Sequence, residues 1–379
     1  MNKKTILFID HAPFVGGAQK ILLAHIKQLV ADGYLPIVVL GPNPYLEKKY
    51  TELGVCLTVV QFNKLKKFSP TAVFYLVDGL RKIAKIARAD RVDLICTNTV
   101  RTHIMGSIAA KLAGKKIIWL LRDYTFPVNL VRILSNIVDY SICVSASIAT
   151  YYFGSNWQAR PVEVVHVASD IKNELAKVTQ EAIEKEKQAL GIGSDDFVIG
   201  YVGRLIKWKG AQVLVKAARI LIEQHKKIKV IIAGSDDGQG EQWQAYLERL
   251  INENNLSQYV KLVGWQENVA LIYKCLDCFV LTSIEREPYA TSAIEAMMAK
   301  VPVVGTNIGG TSEAIHNYQT GLLINPNDAR QLAKAIDFIA KNKNKAAQMA
   351  QKAYDQVIKY NQESYATERL LGIYKRVLA

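Results

Sequence analysis

Short apolar runs rich in β-branched residues alternate with longer segments of helical periodicity along most of the chain. In the first part these runs read "KTILFID", "LPIVVL", "VDLICTN", "KIIWLLR" and "YSICVSAS", and helical patterns over Ala18 to Ala31 and about Pro70 to Arg88 lie between them. This alternation is typical of βαβ units, in which a crossover helix joins two parallel strands. The pattern therefore predicts an α/β protein with a doubly wound parallel sheet.

A second series of strands follows a polar, charged segment between Ala168 and Asp196. Its runs read "FVIGYVG", "KVIIAG", "VKLVG", "CFVLTS", "VPVVGT" and "GLLIN". Ligands of doubly wound sheets bind at the carboxyl ends of the strands, so we expect functional residues in the loops that follow them. The predicted organisation is an N-terminal Rossmann-like domain over 1–166, a linker and helix over 167–194, a C-terminal Rossmann-like domain over 195–355, and a final helix over 356–379 that returns to the N-terminal domain.

The composition agrees with two globular domains and limits the classes of molecule that the protein is expected to bind. The chain has 379 residues, of which 50% are apolar, enough for two cores. Its net charge is +14, and residues 1–166 hold 21 Lys and Arg against 10 Asp and Glu. Zinc-finger spacings, aromatic ribonucleoprotein motifs and basic low-complexity tails are absent, so nucleic acid is not expected as a partner. An anionic membrane and an anionic small substrate remain as partners that would account for the positive charge.

The chain shows no targeting or membrane-spanning pattern. No stretch approaches the roughly 20 apolar residues that cross a bilayer. The N-terminal apolar run ends at Asp10 without a small-residue cleavage site, so we read it as a first strand. Five cysteines in apolar runs favour reduced thiols in a cytoplasm. Cys275 and Cys278 form a CxxC without a second pair or a neighbouring His, which favours buried thiols over a metal site.

The loop "GYVGRLIKWKG" is the first candidate for binding a phosphate. A strand ends at Gly203, Arg204 follows it directly, and Lys209 precedes the next helix. Two cations at the carboxyl end of a strand suit a phosphorylated ligand, Arg through its planar fork and Lys as a point charge. The alternative is a solvated basic loop.

Two glycine loops could serve the same ligand. In "TNIGGTSEAI", Gly309 and Gly310 lead into a short helix at Thr311, whose first N–H groups favour an anion; a plain tight turn is the alternative. Gly16 and Gly17 follow the first strand and allow a close approach. No Walker lysine and no GxGxxG occur, so ATPase and nicotinamide-dependent functions lose their main support.

Two glutamates stand in the stretch "EREPYATSAIEAMMAKVPVVGTNIGG". Glu295 flanks an apolar helical stripe that includes Ile294 and Met298, and Glu287 precedes it by eight residues. An ionised carboxylate that is partly removed from water needs hydrogen-bond donors, which either the protein or a ligand supplies. The alternative is that both glutamates serve a helix N-terminus and a core network.

In this order and combination, the motifs resemble retaining glycosyltransferase family four, which has the GT-B fold of two Rossmann-like domains facing a cleft. The motifs are "GGAQK", "GRLIKWKG", "EPYATSAIEAMMAKVPVV", "GGTSEAI" and "TGLLINPND", and the similarity covers nearly the whole chain. The resemblance implies that Arg204 and Lys209 neutralise the diphosphate of a nucleotide sugar. It also implies that Glu287 binds the donor sugar and that Glu295 accepts hydrogen bonds from the ribose hydroxyls.

The implied activity is transfer of a sugar, with retention of anomeric configuration, from a nucleotide-diphosphate sugar to a hydroxyl of a glycan, lipid-linked or glycoside acceptor. The C-terminal domain would bind the donor and the N-terminal domain the acceptor. The nucleotide sugar is a co-substrate, and neither a further cofactor nor a metal is expected, because Arg204, Lys209 and the amides of Gly309 and Gly310 would stabilise the charge that develops on the leaving diphosphate. Two alternatives stay open: a nucleotide-sugar epimerase, and a nucleotide-sugar binding protein without catalysis.

The chain departs from the family in its N-terminal domain. Many members carry a His after the strand that here reads "KIIWLLRDY", where this chain has Arg122 and Asp123. Asp123 is a candidate for orienting donor or acceptor and Arg122 for serving the phosphate, and a surface ion pair is the alternative. The glycine common in the Glu-x7-Glu loop is Ala290 here. His103 lies at another carboxyl-end loop, where a lone His is more often structural.

The basic helix "RKIAKIAR" suggests where the excess charge of the N-terminal domain acts. Arg81, Lys82, Lys85 and Arg88 share one sector of a helical wheel, opposite an apolar sector. We expect the protein in the cytoplasm, held electrostatically at the inner face of an anionic membrane and not inserted, because the apolar sector packs on the sheet. A solvated basic face is the alternative.

Overall fold

The computed structural model describes residues 4–11, 17–62, 70–89, 92–224, 227–236 and 242–379. The chain divides into two compact units, which are described separately. The first unit is Met1–Ala168 together with Glu363–Ala379, and the second unit is Ser169–Gln362.

The first unit contains a seven-stranded parallel sheet with strand order β3-β2-β1-β4-β5-β6-β7. The crossover connections carry helices, and the last helix of the chain joins this unit. Its elements are β1 (Thr5–Asp10), α1 (Gly17–Ala31), β2 (Leu35–Leu40), α2 (Pro44–Glu52), β3 (Cys56–Val59), α3 (Pro70–Ala89), β4 (Leu94–Thr97), α4 (Val100–Ala113), β5 (Lys116–Leu121), α5 (Val128–Ser135), β6 (Tyr140–Cys143), α6 (Ala146–Phe153), β7 (Val162–Val164) and α16 (Glu363–Leu378).

The first sheet buries both faces, as parallel sheets do. Every residue of β1 is buried, and its side chains alternate between two cores. Phe8 belongs to a cluster with α1, α2 and α16, whereas Ile9 belongs to a cluster with α3 and α4. The near-continuous apolar strands in the sequence reflect this double coverage.

The C-terminal helix α16 is part of the core of the first unit. Leu370 and Tyr374 pack among the side chains of β1, β4 and α1. His25 of α1 is buried and hydrogen-bonds at both ring nitrogens, Nδ1 to Thr367 Oγ1 at 3.2 Å and Nε2 to Tyr374 Oη at 3.0 Å. Burial lowers the pKa of His25 to about 3, and Arg122 lowers it further.

The second unit contains a six-stranded parallel sheet with strand order β10-β9-β8-β11-β12-β13. Two short helices occupy the segment that the sequence suggests as a linker, and they belong to this unit. Its elements are α7 (Ile171–Leu175), α8 (Gln180–Ala189), β8 (Phe197–Val202), α9 (Ala211–Gln224), β9 (Ile228–Ala233), α10 (Trp243–Glu253), β10 (Val260–Gly264), α11 (Val269–Lys274), β11 (Cys278–Leu281), α12 (Thr291–Met298), β12 (Val303–Thr306), α13 (Thr311–Ala314), β13 (Leu322–Ile324), α14 (Ala329–Lys341) and α15 (Lys343–Tyr360).

The helix boundary near the C-terminus differs from the expected one. A single helix is expected over 356–379, but α15 ends at Tyr360 and α16 begins at Glu363. The break coincides with the change of unit at Gln362. Asn361, at this break, donates from Nδ2 to Tyr289 Oη at 3.1 Å within the second unit. Among the helices that the structure describes, none is long and apolar enough to cross a membrane.

We predict that the packing of α16 weakens in acid through His25. The pKa of this His is 6.5 when exposed and about 3 in the folded unit, so unfolding takes up a proton as the pH falls below 6.5. The free energy of opening should therefore decrease by about 2 kcal/mol between about pH 7 and about pH 5. Amide hydrogen exchange in Glu363–Leu378 measures it, and a His25→Gln variant should lose this dependence. Equal pH dependence in both proteins would contradict the assignment.

Candidate functional site

The loop after β8 is fixed against the carboxyl end of β11. A 3₁₀ turn leads to Gly210, which has φ of +74°, and an added Cβ would lie 1.9 Å from the carbonyl oxygen of Thr282. Only glycine fits this contact. Thr282 Oγ1 donates to the carbonyl of Lys209 at 3.2 Å, and the N–H of Ile284 donates to the carbonyl of Trp208 at 2.7 Å. These contacts set the direction in which Lys209 extends.

Lys209 forms a buried ion pair with Glu287. Its Nζ donates to Glu287 Oε1 at 2.9 Å and to Oε2 at 2.7 Å, and the two side chains are 17% and 4% exposed. Ser283 Oγ also donates to Oε2 at 2.7 Å, and the Lys209 ammonium lies 4.5 Å from the centroid of the Trp208 ring. Three donors offset the cost of burying the carboxylate. The pair joins the loops that follow β8 and β11.

The glycine loop after β12 reaches the backbone of Glu287. Gly309 pairs with Glu287 in a parallel bridge, and the N–H of Gly310 donates to the Glu287 carbonyl at 2.7 Å. Gly309 has φ of +63°, and a Cβ there would lie 2.3 Å from that carbonyl oxygen. The N–H of Gly310 is thus engaged within the protein. Of the two amides expected to bind a phosphate, this leaves the N–H of Gly309. Thr311 begins α13, and its buried hydroxyl has no hydrogen-bond partner among the described residues.

Arg204 lies at the same edge of the sheet, directly after Gly203. Tyr201 Oη donates to the Arg204 carbonyl at 3.0 Å. Burial raises the pKa of Tyr201, the Glu287 carboxylate raises it further and the Arg204 guanidinium lowers it, so both charges lie within electrostatic range of one hydroxyl. A Cβ at Gly234, after β9, would lie 1.8 Å from the Gly203 carbonyl oxygen, which shows how closely these two loops approach.

Glu295 on α12 is half-buried and receives donors from the protein. Tyr273 Oη, fully buried on α11, donates to Glu295 Oε2 at 2.9 Å, and Ser169 Oγ lies 3.5 Å from Oε1. Burial raises the pKa of Tyr273 well above its usual value, and Glu295 raises it further. The sequence allows either the protein or a ligand to supply the hydrogen-bond donor for this carboxylate. The structure shows that the protein supplies at least one of the donors, because Tyr273 Oη donates to one oxygen of the Glu295 carboxylate.

The first loop of the first unit is only partly described. Gly16 lies outside the described residues. Gly17 opens α1, and a Cβ there would meet nothing within 4 Å, so the backbone at this point borders open space. Gln19 in the first turn directs its amide to Asp10, with Nε2 at 3.5 Å from Oδ1 and 3.4 Å from Oδ2. The carboxyl end of β1 therefore carries a buried carboxylate.

Arg122 and Asp123 have different surroundings at the carboxyl end of β5. Burial lowers the pKa of Arg122, whereas Asp10 is the largest influence that raises it. Its Nε has no hydrogen-bond partner among the described residues. Asp123 Oδ1 accepts the N–H of Thr125 at 2.9 Å, and its carbonyl accepts Tyr152 Oη at 3.0 Å. Asp123 thus stabilises a turn, and Arg122 lies near a buried carboxylate.

Asn98 is a polar residue of this edge that the sequence analysis does not single out. It follows β4, is 3% exposed, and neither side-chain amide atom has a hydrogen-bond partner among the described residues. Ile9 pairs with Thr97 in the sheet, so alternation places Asn98 on the same face as Asp10. Its position in "VDLICTN", directly after a strand, is the signal that could have identified it.

The sequence also gives no indication of Ser283 or Tyr273, and the structure shows His103 to be a core residue. Ser283 stands four residues before Glu287, and no pattern in the sequence relates Tyr273 to Glu295. His103 is fully buried and stacks on Trp119 with ring centroids 4.0 Å apart, and its Nδ1 lies 3.0 Å from Thr97 Oγ1. Burial lowers the pKa of His103 to about 4.

Comparisons with known sequences agree on one family. Residues 182–356 match the family model described as Glycosyl transferases group 1. D-inositol 3-phosphate glycosyltransferase from Corynebacterium urealyticum is 30% identical over 248 residues, which make up 64% of this chain and 58% of that protein. The chain spans about half the length of the curated relatives it matches.

Solved structures share the fold over nearly the whole chain. A glycosyltransferase from Rickettsia africae has a TM-score of 0.88 at 23% identity, covering 100% of this chain and 99% of that one. HepE from Anabaena, in complex with UDP-glucose, has a TM-score of 0.84 at 22% identity, covering 98% and 99%. The two parallel-sheet Rossmann-like units have the architecture of GT-B glycosyltransferases, and the comparisons support a group 1 glycosyltransferase family.

We predict that Tyr273→Phe destabilises the second unit through Glu295. The change removes only a hydroxyl that donates to a half-buried carboxylate, so the free energy of unfolding should fall by about 1–2 kcal/mol. Tyr259→Phe is the matched control, because its hydroxyl makes no hydrogen bond to a described residue and should cost less than about 0.5 kcal/mol. Denaturant unfolding followed by circular dichroism measures both. Equal effects would show that the Tyr273 hydroxyl does not support Glu295.

Proposed function

We propose that the protein is a retaining glycosyltransferase that moves a sugar from a nucleoside-diphosphate sugar to a hydroxyl of a glycan, lipid-linked or glycoside acceptor. The observation that carries the proposal is the buried Lys209–Glu287 pair at the carboxyl edge of the second sheet. It lies within residues 182–356, the segment that matches the group 1 family. UDP-glucose is the first donor to test, because HepE from Anabaena binds it and shares the fold.

The diphosphate of the donor is proposed to bind Arg204, Lys209 and the N–H of Gly309. A lysine ammonium has three N–H groups, of which Glu287 takes two. Glu287 therefore holds the ammonium in place without using all of its donors. Splitting the sugar–phosphate bond leaves negative charge on the diphosphate, and fixed cations and amides stabilise that charge most in the transition state. We expect no metal requirement, since two cations already serve this role.

The two glutamates are proposed to bind the sugar and the ribose. Glu287 keeps lone pairs for sugar hydroxyls, because two carboxylate oxygens offer about four acceptor positions. Tyr273 holds Glu295 at Oε2, and the carboxylate in this position is proposed to accept hydrogen bonds from a ribose diol. Tyr273 thus acts as a positioning residue and not by contact with the substrate. Retention would follow if the departing phosphate deprotonates the acceptor on the face that it leaves.

The acceptor is proposed to bind the first unit at the carboxyl ends of β1, β4 and β5. Asn98 offers an unpaired amide there, and Asp10 and Arg122 add opposite charges. An unpaired buried amide is costly, and a ligand hydroxyl that pairs with it recovers that cost. Asn98 is therefore proposed to read an acceptor hydroxyl. A peripheral position at an anionic membrane is also proposed, because residues 1–166 carry most of the net positive charge.

An assay with a panel of nucleoside-diphosphate sugars tests the function. Release of nucleoside diphosphate that requires an acceptor, with product anomeric configuration read by NMR, is the expected result. Free nucleotide released with an epimerised sugar and without acceptor would indicate an epimerase. Binding in a thermal-shift screen without any turnover would indicate a binding protein that lacks catalysis.

We predict that Lys209→Met lowers kcat by on the order of a hundredfold or more, because the lost charge acts mainly in the transition state. The same change leaves Glu287 buried without its cation, so the free energy of unfolding should fall by about 3–5 kcal/mol. A Lys209→Met/Glu287→Gln double variant should recover stability without activity. Lys216→Gln, an exposed change on α9, is the control. Turnover near the wild-type value in Lys209→Met would remove Lys209 from the mechanism.

We predict that Asn98→Leu separates stability from acceptor binding. Removing an unpaired buried amide should leave the free energy of unfolding unchanged or raise it by about 1 kcal/mol. The KM for the acceptor should rise on the order of tenfold, while the Kd for the free nucleotide stays constant by calorimetry. An unchanged acceptor KM would show that Asn98 does not contact the acceptor.

A further inference from the structure

Helix α4 exposes a continuous apolar stripe. Ile104, Ile108 and Leu112 follow one another at intervals of four residues and are 40%, 43% and 56% exposed. Residues four apart lie on one face of a helix, so the three side chains form a single row. The opposite face of α4 is buried, with Met105 and Ala109 in the core beside the sheet. Packing inside the unit therefore does not account for the exposed row.

The neighbouring helices continue this surface. On α3, Phe74 is 66% exposed, and beyond the row on the other side Ile133 of α5 is also 66% exposed. Arg88 of α3 donates two hydrogen bonds to the carbonyl of Leu112, which joins the C-terminal ends of α3 and α4. The ring of His103 lies 3.4 Å from the Leu134 carbonyl, which joins α4 to α5. We name the outward side of these three helices the α3–α5 face.

Basic side chains accompany the apolar ones on the α3–α5 face. Arg81, Lys85 and Arg88 of α3 line a groove together with Leu112 of α4, and Asp78, the single acidic residue in the three helix sequences, pairs with Lys82 at 2.9 Å. The groove has a volume of about 530 Å³, and Val77, Leu80 and Ala84 also line it. Apolar area and positive charge thus occupy the same surface.

We propose that the α3–α5 face is a docking surface for an anionic lipid bilayer, into which the apolar row inserts. A bilayer supplies hydrocarbon for Ile104, Ile108 and Leu112 and anionic headgroups for the cations around them. A contiguous apolar row bordered by charged side chains is typical of a surface that meets a partner or a membrane. The inference rests on the peripheral location proposed above. It revises the sequence-based expectation of purely electrostatic docking, because that expectation considered only α3, whose apolar sector does pack on the sheet.

The other face of the first sheet provides a matched comparison. Helix α2 packs in the opposite core through Leu46 and Tyr50, exposes Tyr45 and Lys48, and leaves Lys49 half-buried. It therefore has an exposed ring and two cations but no apolar row. Changes on α2 alter exposed residues of similar kinds at a surface that should not meet the membrane.

Sedimentation with vesicles, in the absence of donor and acceptor, tests the proposal. The protein should bind vesicles that contain phosphatidylglycerol, and bind less to pure phosphatidylcholine. An Ile108→Ser/Leu112→Ser variant should bind on the order of tenfold or more weakly, because its apolar row is lost. A Leu35→Ser/Tyr45→Ser variant, changed at exposed sites outside the face, should bind as the wild type does. Circular dichroism confirms that each variant is folded.

A second pair of variants tests the charges. Arg81→Gln/Lys85→Gln should weaken binding to anionic vesicles and reduce its dependence on salt, whereas Lys48→Gln/Lys49→Gln on α2 should change neither. Full binding by the Ile108→Ser/Leu112→Ser variant would overturn insertion. No binding at low salt would overturn the bilayer as the occupant, and equal binding to neutral vesicles would overturn its recognition through anionic headgroups. Self-association that this serine variant abolishes would assign the face to a second copy of the chain. None of these outcomes bears on sugar transfer, which is measured separately.

Discussion

The arrangement of the second unit depends on the buried ion pair between Lys209 and Glu287. The pair connects loops that follow two neighbouring strands, and the Glu287 backbone connects a third through Gly309. Removing two charges from water costs free energy that their attraction does not always recover. A buried ion pair is therefore often no more stabilising than a hydrophobic contact of similar size, and it is weak evidence for stability. What this pair does provide is geometry. It holds one ammonium and one carboxylate at a fixed position at the edge of the sheet, where each keeps capacity for a ligand.

The sequence predicts the layers of this protein better than its side-chain contacts. Strands with both faces buried read as continuous apolar runs, so the two parallel sheets and the loops at their carboxyl ends could be identified. Contacts between residues far apart in the sequence could not be identified in this way. Lys209 and Glu287 are 78 residues apart in the sequence. The hydrogen bond between Tyr273 and Glu295 depends on how α11 and α12 pack. Gly310 illustrates the limit: its motif predicts an amide for an anion, yet the amide bonds the Glu287 carbonyl.

The first unit accommodates an arginine at the carboxyl end of β5. Arg122 carries a permanent charge into a half-buried position at the carboxyl end of β5, and Asp10 is the group that raises its pKa most. An arginine cannot lose its proton as a histidine can, so it cannot transfer one at neutral pH. Its contribution at this edge is therefore electrostatic. The apolar row of α4 belongs to a different side of the same unit, away from the carboxyl ends of the strands.

The return of α16 to the first unit has a consequence for how the protein is made. His25 and Tyr374 are 349 residues apart, yet they share a hydrogen bond in one core. During synthesis, residues 1–168 leave the ribosome long before α16 exists, whereas the second unit is continuous and can complete its core first. Until α16 is made, Phe8, Leu22 and Ile26 of the first unit lack the α16 side chains that complete their core. This core can therefore close only after α16 has been synthesised, so the second unit should reach its native state earlier although most of it is made later.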